Sequence, residues 1–239
     1  MKRALVTGAS GAIGGAVARR LAADGLQVLV HAHHRRARAD ALVAQIRAAG
    51  GSALAIVFDV RDGAASHRAL EGALADGPIQ VLVNNAGVHD DAPLAGMRPE
   101  QWQPVIDVSL TGFFNVTQPL LLPMLRTRWG RIVSVSSVSA ILGNRGQVNY
   151  AAAKSALHGA TKSLAREVGS RGVTVNAVAP GIIESPSIEA GFDQTRIKAL
   201  VPMQRAGTPE EVADVIGFLI SPAAAYVSGQ IIAIDGGMT

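Results

Sequence analysis

The chain has 239 residues, of which 49% are hydrophobic and 17% charged, with a formal net charge of +4 and no cysteine. This length and apolar content support one large domain with a buried core and exclude a disordered chain. The lack of cysteine excludes disulfides and thiolate metal sites and suits a reducing, cytoplasmic setting. The charge excess is small, and no basic tract carries the interleaved aromatics of a nucleic-acid binder. No apolar run reads as long enough to span a membrane.

Met1 to Val6 has the charged start of a signal peptide. Thr7, Gly8, Ser10 and Gly11 interrupt the apolar run, so the segment reads as strand, turn and helix instead. Arg3–Thr7 predicts the first strand and Ala12–Ala23 the first helix. Between them stands Thr-Gly-Ala-Ser-Gly-Ala-Ile-Gly (7–14), a glycine-rich turn of the kind that cradles a pyrophosphate. Gly8 lets the chain turn tightly, and Gly14 lets the helix approach the sheet. The second strand, Gln27–His31, runs into Ala32-His33-His34-Arg35-Arg36. An NAD site usually places a carboxylate here, and Asp40 lies too far along. Arg35 and Arg36 can instead pair with a 2′-phosphate, which favours NADPH. The alternative is that they are the solvated start of the helix Ala37–Ala48. His31, His33 and His34 alternate as metal ligands do, but no acidic or cysteine partner is near, so no metal site is expected.

Ala53–Phe58 and Val81–Asn84 predict the third and fourth strands. A long apolar helix follows over Pro99–Thr127, which Pro119 and Pro123 are expected to bend or split. Leu110–Leu125 is apolar around more than one face, which implies a partner helix and an oligomer. Arg131–Val135 is the fifth strand, with Ser137 just past its end. The helix Tyr150–Val168 opens with Tyr-Ala-Ala-Ala-Lys, placing Tyr150 and Lys154 one turn apart on one face. Thr174–Val178, Pro209–Ile220 and Ile231–Ile234 complete the elements, and Pro180 to about Pro202 reads as a mobile flap. Strands alternating with helices predict a single α/β domain over 1–239. Its core is a Rossmann-type, doubly wound, parallel seven-stranded sheet with helices on both faces.

A phenol titrates near 10, and bringing it down by ~3 units takes ~4 kcal/mol. Lys154 beside Tyr150 is the expected source of that stabilisation. Ser137 is then placed to donate to a substrate carbonyl oxygen. An acid/base Tyr next to a phosphate cradle points to hydride transfer with a nicotinamide cofactor.

These residues together resemble the short-chain dehydrogenase/reductase family, of the single-domain type, over essentially the whole chain. Within it the similarity is greatest to the 3-oxoacyl-[acyl-carrier-protein] reductases, carried by Gly143 to Lys154, Ser163 to Gly172 and Ile234 to Met238. The resemblance implies a catalytic core of Ser137, Tyr150 and Lys154. It implies cofactor contacts from Gly8, Ser10, Gly11, Ile13 and Gly14 in the first turn, and from His33, Arg35 and Arg36 after the second strand. Asp59 and Val60 would meet the adenine. Asn85, Ala86 and Gly87 follow the fourth strand, and Pro180, Gly181, Ile183 and Ser185 would hold the nicotinamide carboxamide. Arg128 and Arg171 match the arginines that dock the acidic carrier protein near the active-site mouth, and a homotetramer is implied. Three positions depart from the pattern. Ala12 and Ser185 stand where Gly and Thr are usual. Ser109 replaces the fourth catalytic residue, an Asn that holds a kinked backbone and a proton-relaying water. The expected activity is NADPH-dependent reduction of a 3-oxoacyl thioester. The alternatives are a reductase of a free ketone, alcohol or sugar, or a catalytically silent NADPH-binding module.

Overall fold

Runs such as Ala4-Leu5-Val6 and Val81-Leu82-Val83 are apolar at every position, as strands covered on both faces must be. The computed structural model, which describes residues 1–185 and 194–239, places all seven expected strands in one parallel sheet. They are β1 (Arg3–Val6), β2 (Gln27–Ala32), β3 (Ser52–Val57), β4 (Val81–Asn84), β5 (Gly130–Val135), β6 (Val173–Pro180) and β7 (Ile231–Ile234). Their order is β3-β2-β1-β4-β5-β6-β7, so the winding reverses between β1 and β4. A crevice at the carboxyl ends of these two strands is where such a sheet binds its ligand.

The helices are α1 (Ala12–Ala23), α2 (Arg36–Ala48), α3 (Gly63–Leu74), α4 (Pro99–Ile106), α5 (Gly112–Arg126), α6 (Ser139–Leu142), α7 (Val148–Val168), α8 (Gln194–Leu200) and α9 (Pro209–Ile220). Alternate residues of each strand feed two separate cores. Ala4 and Val6 pack with Leu21 of α1, Ile46 of α2 and Ile216 of α9. Leu5 packs on the other face with Leu70 of α3, Leu120 of α5 and Leu164 of α7. Helix α3 has no counterpart among the predicted elements. It buries only Ser66 and Leu70, so its apolar period is faint, and it is started by the Asp62 carboxylate accepting from Ala65 N–H at 2.9 Å.

Pro119 and Pro123 do not split the long helix. Residues 99–126 form one helical run of 28 residues, interrupted instead by a π-helical turn at Asp107–Thr111. Each interior proline costs ~3 kcal/mol. Full burial of Val116, Leu120 and Met124 contributes about 1.5–3 kcal/mol apiece and offsets that cost. By length and composition this run is apolar enough to cross a membrane, contrary to the expectation from sequence. Its buried stripe is spent on the core beneath β4 and β5.

Candidate active site

The turn after β1 is shaped by close approach. Gly8 has φ +62°, and a Cβ there would lie 3.0 Å from the Ala86 Cα. A Cβ on Gly14 would fall 2.5 Å from Asn85 Nδ2 and 2.6 Å from the Gly8 carbonyl oxygen. Asn85 clamps the turn by donating to the carbonyls of Thr7 at 2.8 Å and Gly8 at 3.1 Å. Thr7 Oγ1 returns the contact by accepting from the N–H groups of Asn85 at 2.9 Å and Ala86 at 3.0 Å. The N-cap of α1 is Gly11, which has no side chain to occupy the first N–H groups of the helix, and the first turn holds no acid. Those N–H groups are available to an anion. Ala12 is the first residue of the helix and has a negative φ, which is why its methyl is tolerated where Gly is usual. A groove of about 340 Å³ runs between Gly8 to Gly14, Asn85 to Gly87, and Ile183 to Ser185. Three separate segments expected to contact the cofactor are thus brought to one place. The cradle fits a dinucleotide. Gly181 follows β6 against Asp235, and residues 186–193 of the expected flap lie outside the described residues.

Behind Gly8, His31 is buried and acts as a structural tie. Its Nδ1 accepts from Gly8 N–H at 3.0 Å, so its Nε2–H donates to the Phe58 carbonyl at 2.9 Å. The ring joins the phosphate turn to β2 and β3, and burial pushes its pKa down to about 4. Asp59 is gripped by Arg61, with Nη2 to Oδ2 at 2.7 Å, and His33 Nε2 lies 3.3 Å from the same oxygen. The Arg61 hydrogen bonds hold the carboxyl at about 2. Val60 is buried against Gly112. Arg36 pairs with Asp40 at 3.3 Å, whereas Arg35 forms no ion pair among the described residues.

Ser137 lies in the turn after β5. Its oxygen accepts from Ser139 N–H at 3.1 Å, and its hydroxyl hydrogen-bonds Tyr150. Tyr150 is in the first turn of α7, where its N–H donates to Asn149 Oδ1 at 2.8 Å. Asn149 is fully buried and donates to the carbonyls of Asp90 at 2.9 Å and Gln101 at 2.8 Å, pinning the start of α7 to the loop after β4 and to α4. Lys154 is buried one turn on, and its Nζ donates to the Val135 carbonyl at 2.8 Å. Gly87 makes room for it, since a Cβ there would lie 3.1 Å from Nζ.

The electrostatics differ from the expectation. Tyr150 is raised, first by burial and then by Asp91, and the Ser137 hydrogen bond only opposes this. Lys154 Nζ stands 5.7 Å from the phenol ring centre, and burial pushes its own pKa down to about 8. A raised phenol keeps its proton at neutral pH, which is the state a proton donor needs. Ser109 sits in the π-helical turn with its hydroxyl buried and without a hydrogen-bond partner among the described residues. It faces a small void shared with Thr7, Asn84 and Phe113. It makes no contact with Lys154 of the kind a relay would need.

Arg128 and Arg171 are not at the mouth within one chain. They precede β5 and β6, and in a parallel sheet that is the end opposite to Ser137 and Pro180. They are neighbours there, with Arg128 Nη2 donating to the Ser170 carbonyl at 3.3 Å. His31, Asn149, Asp91 and Arg61 were missed as site residues. A histidine inside an apolar strand and an asparagine next to the reactive Tyr were the available signals.

A family model described as Enoyl-(Acyl carrier protein) reductase matches residues 8–239. The chain is 46% identical over 237 residues to a 3-oxoacyl-[acyl-carrier-protein] reductase of Synechocystis sp., covering 98% of this chain and 96% of the relative. The chain belongs to the short-chain dehydrogenase/reductase family. The enzyme named 3-oxoacyl-[acyl-carrier-protein] reductase FabG from Staphylococcus aureus (strain Mu50) is 42% identical over 240 residues, covering 99% of this chain and 98% of its own. The one from Aggregatibacter actinomycetemcomitans is 41% identical over 236 residues, with 98% of each chain covered. Like other members of this family of reductases, the protein is an oxidoreductase that works with a nicotinamide cofactor.

Proposed function

We propose that the protein reduces the C3 ketone of a 3-oxoacyl thioester, carried on acyl carrier protein, to the 3-hydroxyacyl thioester with NADPH in the cytoplasm. The observation that carries this reading is the Ser137–Tyr150 hydroxyl pair, joined to the cofactor groove by Lys154, which stands between Tyr150 and Gly87. Two hydroxyls on one point suit an oxygen that must gain a proton, which favours a ketone over a carbon–carbon double bond. The names of the relatives in the comparison support the same choice.

The bound cofactor supplies the hydride. Tyr150, protonated at neutral pH, gives its proton to the ketone oxygen as charge develops there, and Ser137 donates a second hydrogen bond to the same oxygen. Lys154 spends one N–H on Val135 and keeps two for ribose hydroxyls. Its lowered pKa keeps those protons exchangeable near neutrality. Gly8 to Gly14 and the start of α1 hold the pyrophosphate, and Ser185 with Ile183 the carboxamide. Arg35 supports NADPH, joined by Arg36, whose exposed pair with Asp40 is weak enough to exchange.

Arg128 and Arg171 form the basic patch for an acidic carrier. With docking at one end of the sheet and chemistry at the other, a docked carrier serves the catalytic centre of a neighbouring copy. A homotetramer supplies one, and the exposed Phe114 and Leu122 of α5 offer an apolar face for assembly. The test is a panel of 3-oxoacyl substrates on carrier protein and on coenzyme A, with NADPH and NADH. Tyr150→Phe should abolish ketone-dependent oxidation of NADPH while NADPH binding persists. Retained turnover refutes the assignment, and a preference for NADH refutes the role of Arg35 and Arg36. Reversing both Arg128 and Arg171 to Glu should slow only carrier-bound substrates.

A further inference from the structure

The reaction as proposed uses one carbonyl, but a 3-oxoacyl thioester has two, separated by a single methylene. When the ketone oxygen lies on Ser137 and Tyr150, the thioester oxygen must lie within a few ångströms of that pair. A side chain standing beside this pair is His89. Its ring stands edge-on to the Tyr150 ring, with centroids 6.5 Å apart and planes at 85°. Its Nδ1 is 3.5 Å from Asp91 Oδ1.

Asp91 is itself fixed. Its other oxygen accepts from Gln147 Nε2 at 2.8 Å, and Gln147 Oε1 accepts from Ser139 Oγ at 3.0 Å. Ser139 N–H in turn reaches Ser137 Oγ at 3.1 Å. A chain of polar contacts therefore runs around the mouth from Ser137 to the edge of Tyr150. The loop that bears His89 is tied down on both sides, by Ala92 N–H to the Gly146 carbonyl at 2.9 Å and by Asn149 to the Asp90 carbonyl. The His89 side chain is nonetheless 64% exposed, whereas Lys154 is sealed beneath the phenol.

We propose that His89 is a specificity residue that receives the thioester carbonyl of a 3-oxoacyl substrate, oriented for it by Asp91. With the Asp91 carboxylate on the Nδ1 side, Nε2 is turned to the opposite edge of the ring. An Nε2–H at that edge donates to the carbonyl. The charged or titratable groups on the elements packed here are Asp90 and Asp91 on the same loop, Arg98 and Glu100 at the start of α4, Arg145 before α7, and Tyr150 and Lys154 on α7. This inference rests on the 3-oxoacyl thioester reading.

The experiment compares wild type with His89→Phe, which keeps a ring over Tyr150, and with His89→Gln, which keeps an amide N–H donor. A 3-oxoacyl coenzyme A thioester and a simple monoketone are the substrates, and kcat/KM is followed against pH. For the thioester, His89→Phe should lose about tenfold or more, mainly in KM, consistent with loss of a charged hydrogen bond. His89→Gln should recover part of the rate. NADPH affinity and any monoketone turnover should stay within about twofold. An unchanged thioester profile in His89→Phe overturns the inference, as does an equal loss on both substrates, which would mark a packing role over Tyr150. Failure of wild type to reduce the thioester at all overturns the 3-oxoacyl reading first, and this inference with it.

Discussion

Replacing Lys154 by Met should make the fold more stable near neutral pH while removing activity. The ammonium is fully buried without a carboxylate partner among the described residues, and burial takes its pKa from 10.5 to about 8. That drop corresponds to about 3 kcal/mol of strain on the charged form in the folded state. Below pH 8 both folded and unfolded chains hold the proton, so the fold carries the whole penalty. Between pH 8 and about 10.5 the folded chain releases its proton first, so the unfolded chain binds more protons and stability rises with pH. Methionine has a similar length and no charge, but leaves the Val135 carbonyl without its donor, a loss of about 1–2 kcal/mol. The variant should therefore be about 1–2 kcal/mol more stable at pH 7. By pH 10 the penalty in wild type falls to about 1 kcal/mol, and the two proteins should come level. Urea unfolding of both at pH 7, 8.5 and 10 measures the gap, and comparing the two cancels groups common to them. A variant less stable at pH 7, or a gap that does not change with pH, refutes the reasoning.

Gly14→Ala places a methyl 2.5 Å from Asn85 Nδ2 and 2.8 Å from Ala9 Cα, so it should cost about 2 kcal/mol or more and sharply weaken NADPH binding, read by thermal unfolding and fluorescence titration. His31 is folded in its neutral form at about 4, so its stability is complete above pH 6.5 and lost as pH falls towards 4; His31→Gln should flatten that acid limb and loosen cofactor binding through Gly8. Ser109→Ala removes a buried hydroxyl without a described partner, so thermal unfolding should show no loss or a gain of up to about 1 kcal/mol. A clear loss would mean the hydroxyl is satisfied.

The parallel sheet and the cofactor turn were legible because each relies on a local pattern. Glycine at 8 and 14, apolar strands and the Tyr150–Lys154 spacing all survive in a linear reading. What was not legible depends on distant neighbours. His31 looks like an exposed strand end until Gly8 and Phe58 are seen on its two nitrogens. The direction of the Tyr150 shift depends on how deeply α7 sinks, which sets burial against a lysine that is itself desolvated. Pro119 and Pro123 were expected to bend or split the helix because their cost is local, whereas the compensation from Leu120 and Met124 is tertiary. The position of Arg128 and Arg171 follows only from the direction of β5 and β6.

The π-helical turn at Asp107–Thr111 bears on the register of what precedes it. Such a turn is an α-helix with one residue inserted, and removing a residue rotates everything before it by about 100°. Helix α4 lies on that side and supplies the Gln101 carbonyl that holds Asn149 beside Tyr150. Shortening the turn by one residue would leave the sheet intact but carry Gln101 away from Asn149. The extra residue thus works as a phase setting, matching a long core helix to the catalytic end of another.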